Sequence, residues 1–351
     1  MSMNKTSLES PILHELSTLL DDGFLIVDRD QVISMANSTA VRYLGENLLG
    51  QTAEDVFISP HFANEFESCL AEDRTIEFVS KAKADRLRQF RVRLRPINQD
   101  NIAVLVMDMT LQHNLEKVRR DFVANVSHEL RSPLTSLIGF IETMQMTPNL
   151  DDTAKEKFLG IMDEESRRMS RLIDDLLSLS KVETEEHIKP TAIIHILKLV
   201  HSVIASMGNR AAKMDMAIEF NDLRDDANSD LVILGEHDEM MEVFHNLLDN
   251  ALKYGHDGTS VQVTLSSPKP NLIKFDITNH GDGIEQKHLG RLTERFYRVD
   301  KGRSREMGGT GLGLAIVKHI VSRHRGTIKV ESEMGQSTTF SVILPRQVAK
   351  G

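Results

Sequence analysis

The spacing of apolar residues divides the chain into three stretches. Up to Thr110, short apolar runs alternate with turn residues. Gly23–Asp28 reads as a strand, Asp28, Arg29 and Asp30 as a turn, and Gln31–Met35 as a second strand. A helical segment follows Asn37 and runs to Tyr43, Leu44 and Gly45. Further strands are expected at Thr75–Ser80, Gln89–Arg95 and Ile102–Asp108. Ser10 and Pro11 are suited to cap and open a short helix before them. Beyond Thr110, a plausible N-cap, the period changes to three and four. Leu111, Leu115, Val118 and Phe122 are followed by Leu134, Leu137, Ile141 and Met144. Pro148 and Asn149 break the pattern, and a second helix carries Met169, Leu172, Leu176 and Leu179 on one seam.

Two helices cannot bury such seams alone, but two copies forming a four-helix bundle can, which predicts a homodimer. A coiled-coil spacer is the plainer alternative. From about Glu185 the pattern is mixed. Ile193–Arg210 and Asp238–Tyr254 are amphipathic helical stretches. Val261–Ser266, Leu272–Asn279, Gly326–Ser332 and Thr338–Leu344 alternate as strands, and glycine-rich loops fall between them.

Composition narrows this picture. With 351 residues the chain has room for two or three domains. A formal net charge of −10 argues against nucleic-acid binding as the main activity. One cysteine, Cys69, rules out a disulfide framework and fits a reducing compartment. No apolar run has the roughly 18–20 residues that span a bilayer, and the polar first residues lack a signal peptide's apolar core. The chain is therefore expected to be cytoplasmic, with an anchor upstream of residue 1 compatible with that reading.

Candidate chemistry gathers in two places. His128 sits on a polar turn of the first long helix, beside Glu129 and five residues before Pro133. Alone it reads as a surface or interhelical histidine. The second place is built from four segments. Asn246, Asn250 and Lys253 share one helical face, followed by Tyr254. Amide oxygens suit Mg²⁺ beside phosphates, although buried asparagines also serve structure alone. Asn279, Gly281, Gly283 and Ile284 follow a strand, where glycines admit close backbone approach. Glu294–Arg298, with Phe296 and Arg298, is either a lid or a solvated charged loop. Gly308–Gly313, with Gly309, Thr310, Gly311 and Leu312, leads into the helix Ala315–Arg323. Free N–H groups at such a helix start bind anions. No Gly-Lys-Ser/Thr follows, so this is not a Walker A loop.

In order and spacing these segments resemble the histidine, asparagine, first glycine, phenylalanine and second glycine boxes of sensor histidine kinases. The likeness covers residues 110–346, and the first helix is similar to that of the phosphate-regulon-type members. Residues 10–110, closing on Asp108, Met109 and Thr110, resemble a PAS sensor domain. The resemblance implies a multidomain protein with three parts. They are an α+β PAS-like domain at 10–110, an antiparallel helical hairpin forming the dimeric four-helix bundle at 111–183, and a Bergerat-type α/β sandwich that binds ATP at 184–351.

It also implies roles. His128 is the phosphoacceptor, sensible for a group whose ordinary pKa is about 6.5. Glu129 is the general base or the holder of the imidazole tautomer. Pro133 removes a backbone donor and is expected to bend the helix just past the histidine. Arg131 is either an electrostatic helper or a solvated charge. Asn250 holds Mg²⁺ with Asn246 in support, Lys253 reaches phosphate, and Tyr254 lies on the adenine side. The partner is a response-regulator receiver domain, typically of a DNA-binding transcription factor.

Two positions depart from the family, and one more separates the chain from the ATP-hydrolysing relatives. The family usually has Asp at position 279, where this chain has the neutral Asn279. Ser132 stands one turn past His128 where bifunctional members have Thr or Asn, and is the candidate for positioning water in dephosphorylation of the partner. ATP-hydrolysing relatives carry Glu at position 246, and Asn246 cannot activate water, which favours transfer to histidine. Two competing readings are a non-catalytic scaffold, separable by Mg·ATP binding, and an ATP-hydrolysing clamp, separable by hydrolysis without protein labelling. In the first domain Cys69 lies in no flavin-adduct motif, and His61 reads as a surface residue rather than a haem ligand.

Overall fold

The computed structural model describes residues 15, 17–58, 62–147, 150–224, 231–300 and 309–347. Ser10, Pro11, His61, Pro148, Asn149 and Gly308 lie outside the described residues. The chain forms two compact units, Met1–Val123 and Ala124–Gly351.

In the first unit, β1 (Gly23–Asp28), β2 (Ile33–Ala36), α1 (Ser38–Leu44), α2 (Ala53–Val56), β3 (Phe57–Ile58) and α3 (Phe62–Glu72) precede three longer strands. These are β4 (Ile76–Ala82), β5 (Phe90–Pro96) and β6 (Asn101–Asp108). The sheet order is β2-β1-β6-β5-β4-β3, and every neighbouring pair is antiparallel. Alternation drives it: Ile102, Val104 and Val106 of β6 are buried while their neighbours are not. They pack in one core with Phe57, Phe62, Phe66 and Phe90. The second strand starts two residues later than its apolar run, at Ile33. Asp28 Oδ1 accepts the N–H groups of Asp30 and Val32, and Gln31 takes φ 62°, so the turn occupies these residues. Cys69 is buried, its thiol donating to the carbonyl of Arg74 at 3.2 Å.

The helix α4 (Thr110–Met146) begins in this unit. Thr110 is its first residue rather than its cap. Its N–H donates to Asp108 Oδ1 at 2.9 Å, and its hydroxyl accepts the Gln89 N–H.

In the second unit α4 continues unbroken through the buried Pro133. It is followed by α5 (Asp152–Glu185), which Asp151 caps by accepting the Ala154 N–H at 2.8 Å. The rings of Phe140 and Phe158 pack 5.1 Å apart between the two helices. Along the α5 seam Leu172 and Leu179 are buried and Met169 and Leu176 half-buried within this chain, whereas Ile173 and Leu177, off the seam, are exposed. Leu134, Ile138 and Ile141 of α4 are exposed as well.

The remainder comprises β7 (Ile193–His195), α6 (Ile196–Lys213), β8 (Ala217–Asp222), β9 (Val232–Leu234), α7 (His237–Tyr254) and β10 (Ser260–Lys269). β11 (Leu272–His280), α8 (Gln286–Leu289), α9 (Gly313–Arg323), β12 (Thr327–Glu333) and β13 (Ser337–Pro345) complete it. A five-stranded sheet runs β12-β13-β11-β10-β8, with only β8 and β10 parallel. The helices α6, α7 and α9 pack against it and one another, making a two-layer α/β sandwich. Phe244 of α7 meets Phe275 of β11 edge-on, with centroids 4.9 Å apart and both rings buried. Each such ring stabilises the sandwich by about 1.5–3 kcal/mol. The helix expected at Ile193–Arg210 loses its first three residues to β7, which pairs with β9.

Candidate nucleotide site and phosphoacceptor helix

A cavity of about 480 Å³ opens beside α7 in the second unit. That lies within the range of small-molecule sites. Asn246, Asn250, Lys253 and Tyr254 line it from α7, a single face as the four- and three-residue steps require. Lys253 Nζ is 2.7 Å from Asp249 Oδ2, and Arg210 Nη2 of α6 is 2.6 Å from Asp249 Oδ1. Asp249 thus holds two cations at the cavity wall. Asn279 near the end of β11 and Gly283 just after it line the cavity, and Arg298 lines it from the following loop.

The start of α9 closes the cavity with Gly309, Thr310, Gly311 and Gly313. A Cβ on Gly313 would lie 2.7 Å from Asn246 Oδ1, so glycine is what lets this helix start abut α7. Gly311 takes φ 75°, and its carbonyl accepts the Phe296 N–H at 2.8 Å. Gly283 also has positive φ, and a Cβ there would lie 2.5 Å from the Glu333 carbonyl.

Gly281, Phe296 and Leu312, which the sequence assigns to the ligand, do not line the cavity. Their contributions are to its frame. A side chain at Gly281 would collide with the Tyr254 carbonyl. Leu312 is fully buried, and Phe296 adopts φ 61° beneath Gly311. Arg295 of the same segment pairs with Glu183 of α5 at 2.5 Å.

Several lining residues have no signal in the sequence. Arg171 and Asp175 of α5, His245 of α7, and Thr338 and Phe340 of β13 all face the cavity. Asp175 accepts the Thr310 hydroxyl at 2.6 Å. Burial pushes the Asp175 carboxyl above the ordinary range, against the opposing pull of Thr310 and Lys253. Asp249 inside the α7 motif, Asp282 between Gly281 and Gly283, and Tyr297 within Glu294–Arg298 were within reach of a motif argument.

His128 is exposed on α4 and does not line the cavity. Glu129 turns toward α5, where its Oε2 lies 2.9 Å from Arg168 Nη2, with the two side chains only 17 % and 11 % exposed. Pro133 packs at the same place, around a small recess also lined by Arg168, Leu172 and Thr310. Ser132, one turn past His128, is half-buried.

The cavity fits a nucleoside triphosphate with its cation. It joins cations, glycine-rich backbone and a helix N-terminus with apolar side chains such as Ile284, Leu292 and Phe340. Among the described residues there is no group of three or more His, Cys, Asp or Glu that would hold a metal by itself. The amide oxygens of Asn246 and Asn250 suit a hard ion such as Mg²⁺, which takes few protein ligands and completes its shell with phosphate and water.

Residues 118–185 match the His Kinase A (phospho-acceptor) domain. Residues 235–348 match the histidine kinase-, DNA gyrase B-, and HSP90-like ATPase family. The Staphylococcus aureus sensor protein kinase WalK is 34 % identical over 353 residues, covering 98 % of this chain and 83 % of the relative. The chain belongs to the sensor histidine kinases. These are ATP-dependent protein-histidine phosphotransferases of two-component systems. WalK of strain MRSA252 is also 34 % identical, but the kinase described here spans only 56 % of that longer protein. Among solved structures, the histidine kinase ThkA in complex with response regulator protein TrrA superposes with a TM-score of 0.51. The match covers 95 % of this kinase and 99 % of that chain at 20 % identity, a likeness of fold. No helix among the described residues is long and apolar enough to cross a membrane.

Proposed function

We propose that this kinase phosphorylates His128 from ATP and passes the phosphoryl group to an aspartate of a response-regulator receiver domain. What carries the reading is the pairing of an exposed His128 on a phosphoacceptor helix with a phosphate-suited cavity in the same folded unit. A ring nitrogen of His128 attacks the γ-phosphorus, the bond to the β–γ bridging oxygen breaks, and ADP leaves. The proton on the other ring nitrogen passes to Glu129, which must first exchange its Arg168 partner for the imidazole. Asn250, supported by Asn246, would hold Mg²⁺, and Lys253 would pair with phosphate. A bound Mg²⁺ neutralises charge on the phosphates. Attack by a receiver aspartate oxygen then forms an acyl-phosphate O–P bond as the N–P bond breaks, and Glu129 returns its proton to restore the neutral imidazole.

Tyr254, Asn279, Gly283, Arg298, Gly309, Thr310, Gly311 and Gly313 complete the nucleotide site in this proposal. Ser132 would position water for dephosphorylating the regulator. The domain limits 10–110, 111–183 and 184–351 go with it. The first domain is read as a PAS-like sensor, supported by its antiparallel sheet with flanking helices. The receiver is taken as part of a DNA-binding transcription factor. Dimerisation through a four-helix bundle is supported by the exposed Leu134, Ile138, Ile141, Ile173 and Leu177. The ThkA complex, with its response regulator, supports the choice of partner. Cytoplasmic location of these residues follows from the proposed substrate and partner.

The test is incubation with γ-labelled ATP. Acid-labile, alkali-stable label is expected on the unaltered chain and none on His128→Gln. Equal labelling of the two sinks the reading.

A further inference from the structure

Among the described residues two asparagines are almost completely buried, and their surroundings treat them in opposite ways. Asn37, 1 % exposed, uses its whole amide. Its Oδ1 accepts the N–H groups of Phe24 and Ala40, and its Nδ2 donates to the carbonyls of Ser17 and Asp22. Such an asparagine is locked in one orientation. Asn279 is 3 % exposed, stands near the end of β11 opposite Thr338, and lines the nucleotide cavity. Its amide forms no hydrogen bond with any described residue. Its Oδ1 and Nδ2 are not among the buried side-chain atoms left without a partner, so the amide opens on the cavity and is free to bond whatever fills it.

The apolar side chains of the lining include Ile284, Leu292 and Phe340, with Thr338 directly across the sheet from Asn279, whereas Lys253, Arg298 and the α9 start are suited to phosphate. The part of a nucleotide that is flat, apolar on its faces and rich in hydrogen-bonding groups at its edge is the base. We infer that Asn279 makes this base slot accept guanine as well as adenine, so that GTP is a second phosphoryl donor. The inference rests on the proposed phosphotransfer from ATP.

The argument is one of donor and acceptor count. A carboxylate at this place is acceptor-only when ionised, whereas an amide carries an acceptor oxygen and two donor hydrogens. Adenine presents an amino donor at position 6, and guanine presents a carbonyl acceptor at the same place. An amide meets the first through Oδ1 and the second through Nδ2, exchanged by a half-turn about its last torsion. No hydrogen bond from a described residue locks that torsion, in contrast to Asn37. Gly281 keeps the space open, since a Cβ there would lie 3.1 Å from Asn279 Nδ2. A carboxylate in the same pose bonds the adenine amino group and repels the guanine carbonyl.

The experiment uses the full chain with γ-labelled ATP and γ-labelled GTP in parallel, at matched subsaturating concentrations. GTP is expected to label His128 at a rate within about tenfold of ATP, the order of one hydrogen bond's discrimination. Asn279→Asp is expected to lower the GTP-to-ATP ratio at least about tenfold further. The inference is overturned if ATP labels and GTP falls outside that first margin, or if the variant leaves the ratio unchanged. Labelling from neither nucleotide overturns the proposed function itself, and this inference with it. Should the variant fail to fold, competition of unlabelled ATP and GTP against a fluorescent adenine nucleotide on the unaltered chain decides. Inhibition constants within about tenfold support the dual slot, and a wider gap removes it.

Discussion

His324 illustrates how a single buried side chain ties the ATP-binding portion to pH. Its Nε2 accepts the Glu236 N–H at 3.0 Å, and its Nδ1 donates to the Ile320 carbonyl at 2.8 Å. Only the neutral ring with its proton on Nδ1 satisfies both, because a protonated ring would set a second donor against the Glu236 amide. Burial pushes the imidazole below its ordinary value, the Ile320 carbonyl and Glu236 acting against that and Arg323 with it. A folded value below the unfolded one means the unfolded chain takes up the proton first as pH falls. The stabilisation is therefore present in full above about pH 6.5 and is lost as pH drops from there through the folded value. Denaturant titrations at pH 7.5 and 5.5 are expected to show a larger loss for the unaltered chain than for His324→Gln. The difference should be about 1 kcal/mol or more. Parallel losses in the two proteins would exclude the assignment. No pattern in the sequence marks this histidine, since its partner Glu236 lies 88 residues away.

At the scale of elements, the nucleotide site is a meeting of α7 with the start of α9, and Gly313 sets their distance. Gly313→Ala keeps helix propensity, and indeed improves it, but its methyl group displaces the Asn246 amide. Nucleotide affinity is expected to fall at least about tenfold, roughly 1.4 kcal/mol, with thermal stability little changed. Titration with a fluorescent ATP analogue measures it, and an unchanged dissociation constant would count against the α7–α9 junction as the site. These two elements were legible beforehand because their signals are local: helical spacing for Asn246, Asn250 and Lys253, and a glycine run before an apolar helix. The long antiparallel strands were legible for the same reason, through alternation. What escaped was set by distant partners. The apolar run at Ile193 reads as helix until β9 pairs with it some forty residues on, and β8 becomes a strand beside β10. Arg171 and Asp175 reach the cavity from a helix whose own pattern shows only a hydrophobic seam.

On the scale of the whole kinase unit, that helix is the element to which the ATP-binding portion is fastened. Asp175 accepts from Thr310, and Ser178 donates to Glu242 at 2.8 Å. Glu183 pairs with Arg295, Glu186 lies 2.7 Å from His319 Nδ1, and Glu185 lies 3.1 Å from Arg323 Nη2. Burial acts to raise the Glu186 carboxyl, but hydrogen bonds from Ser322 and His319 outweigh it and leave it low. Pairs as exposed as these contribute little singly, about 0–1 kcal/mol each, yet they act along one helix and on the loop that frames the nucleotide. The phosphoacceptor, meanwhile, lies outside the cavity wall. Phosphotransfer to the chain's own His128 then requires the ATP-binding portion to leave this grip. Loosening the grip without touching the cavity should therefore speed labelling. The variant Glu183→Gln with Glu186→Gln is expected to raise the initial rate of His128 labelling several-fold, by analogy with about 1 kcal/mol of released contact. ATP affinity should stay within about twofold, because neither glutamate lines the cavity. Moderate salt should do the same to the unaltered chain and add little to the variant, since screening and mutation remove the same attraction. A variant that binds ATP normally but labels more slowly would mean that these contacts belong to the transferring arrangement rather than to the one that restrains it.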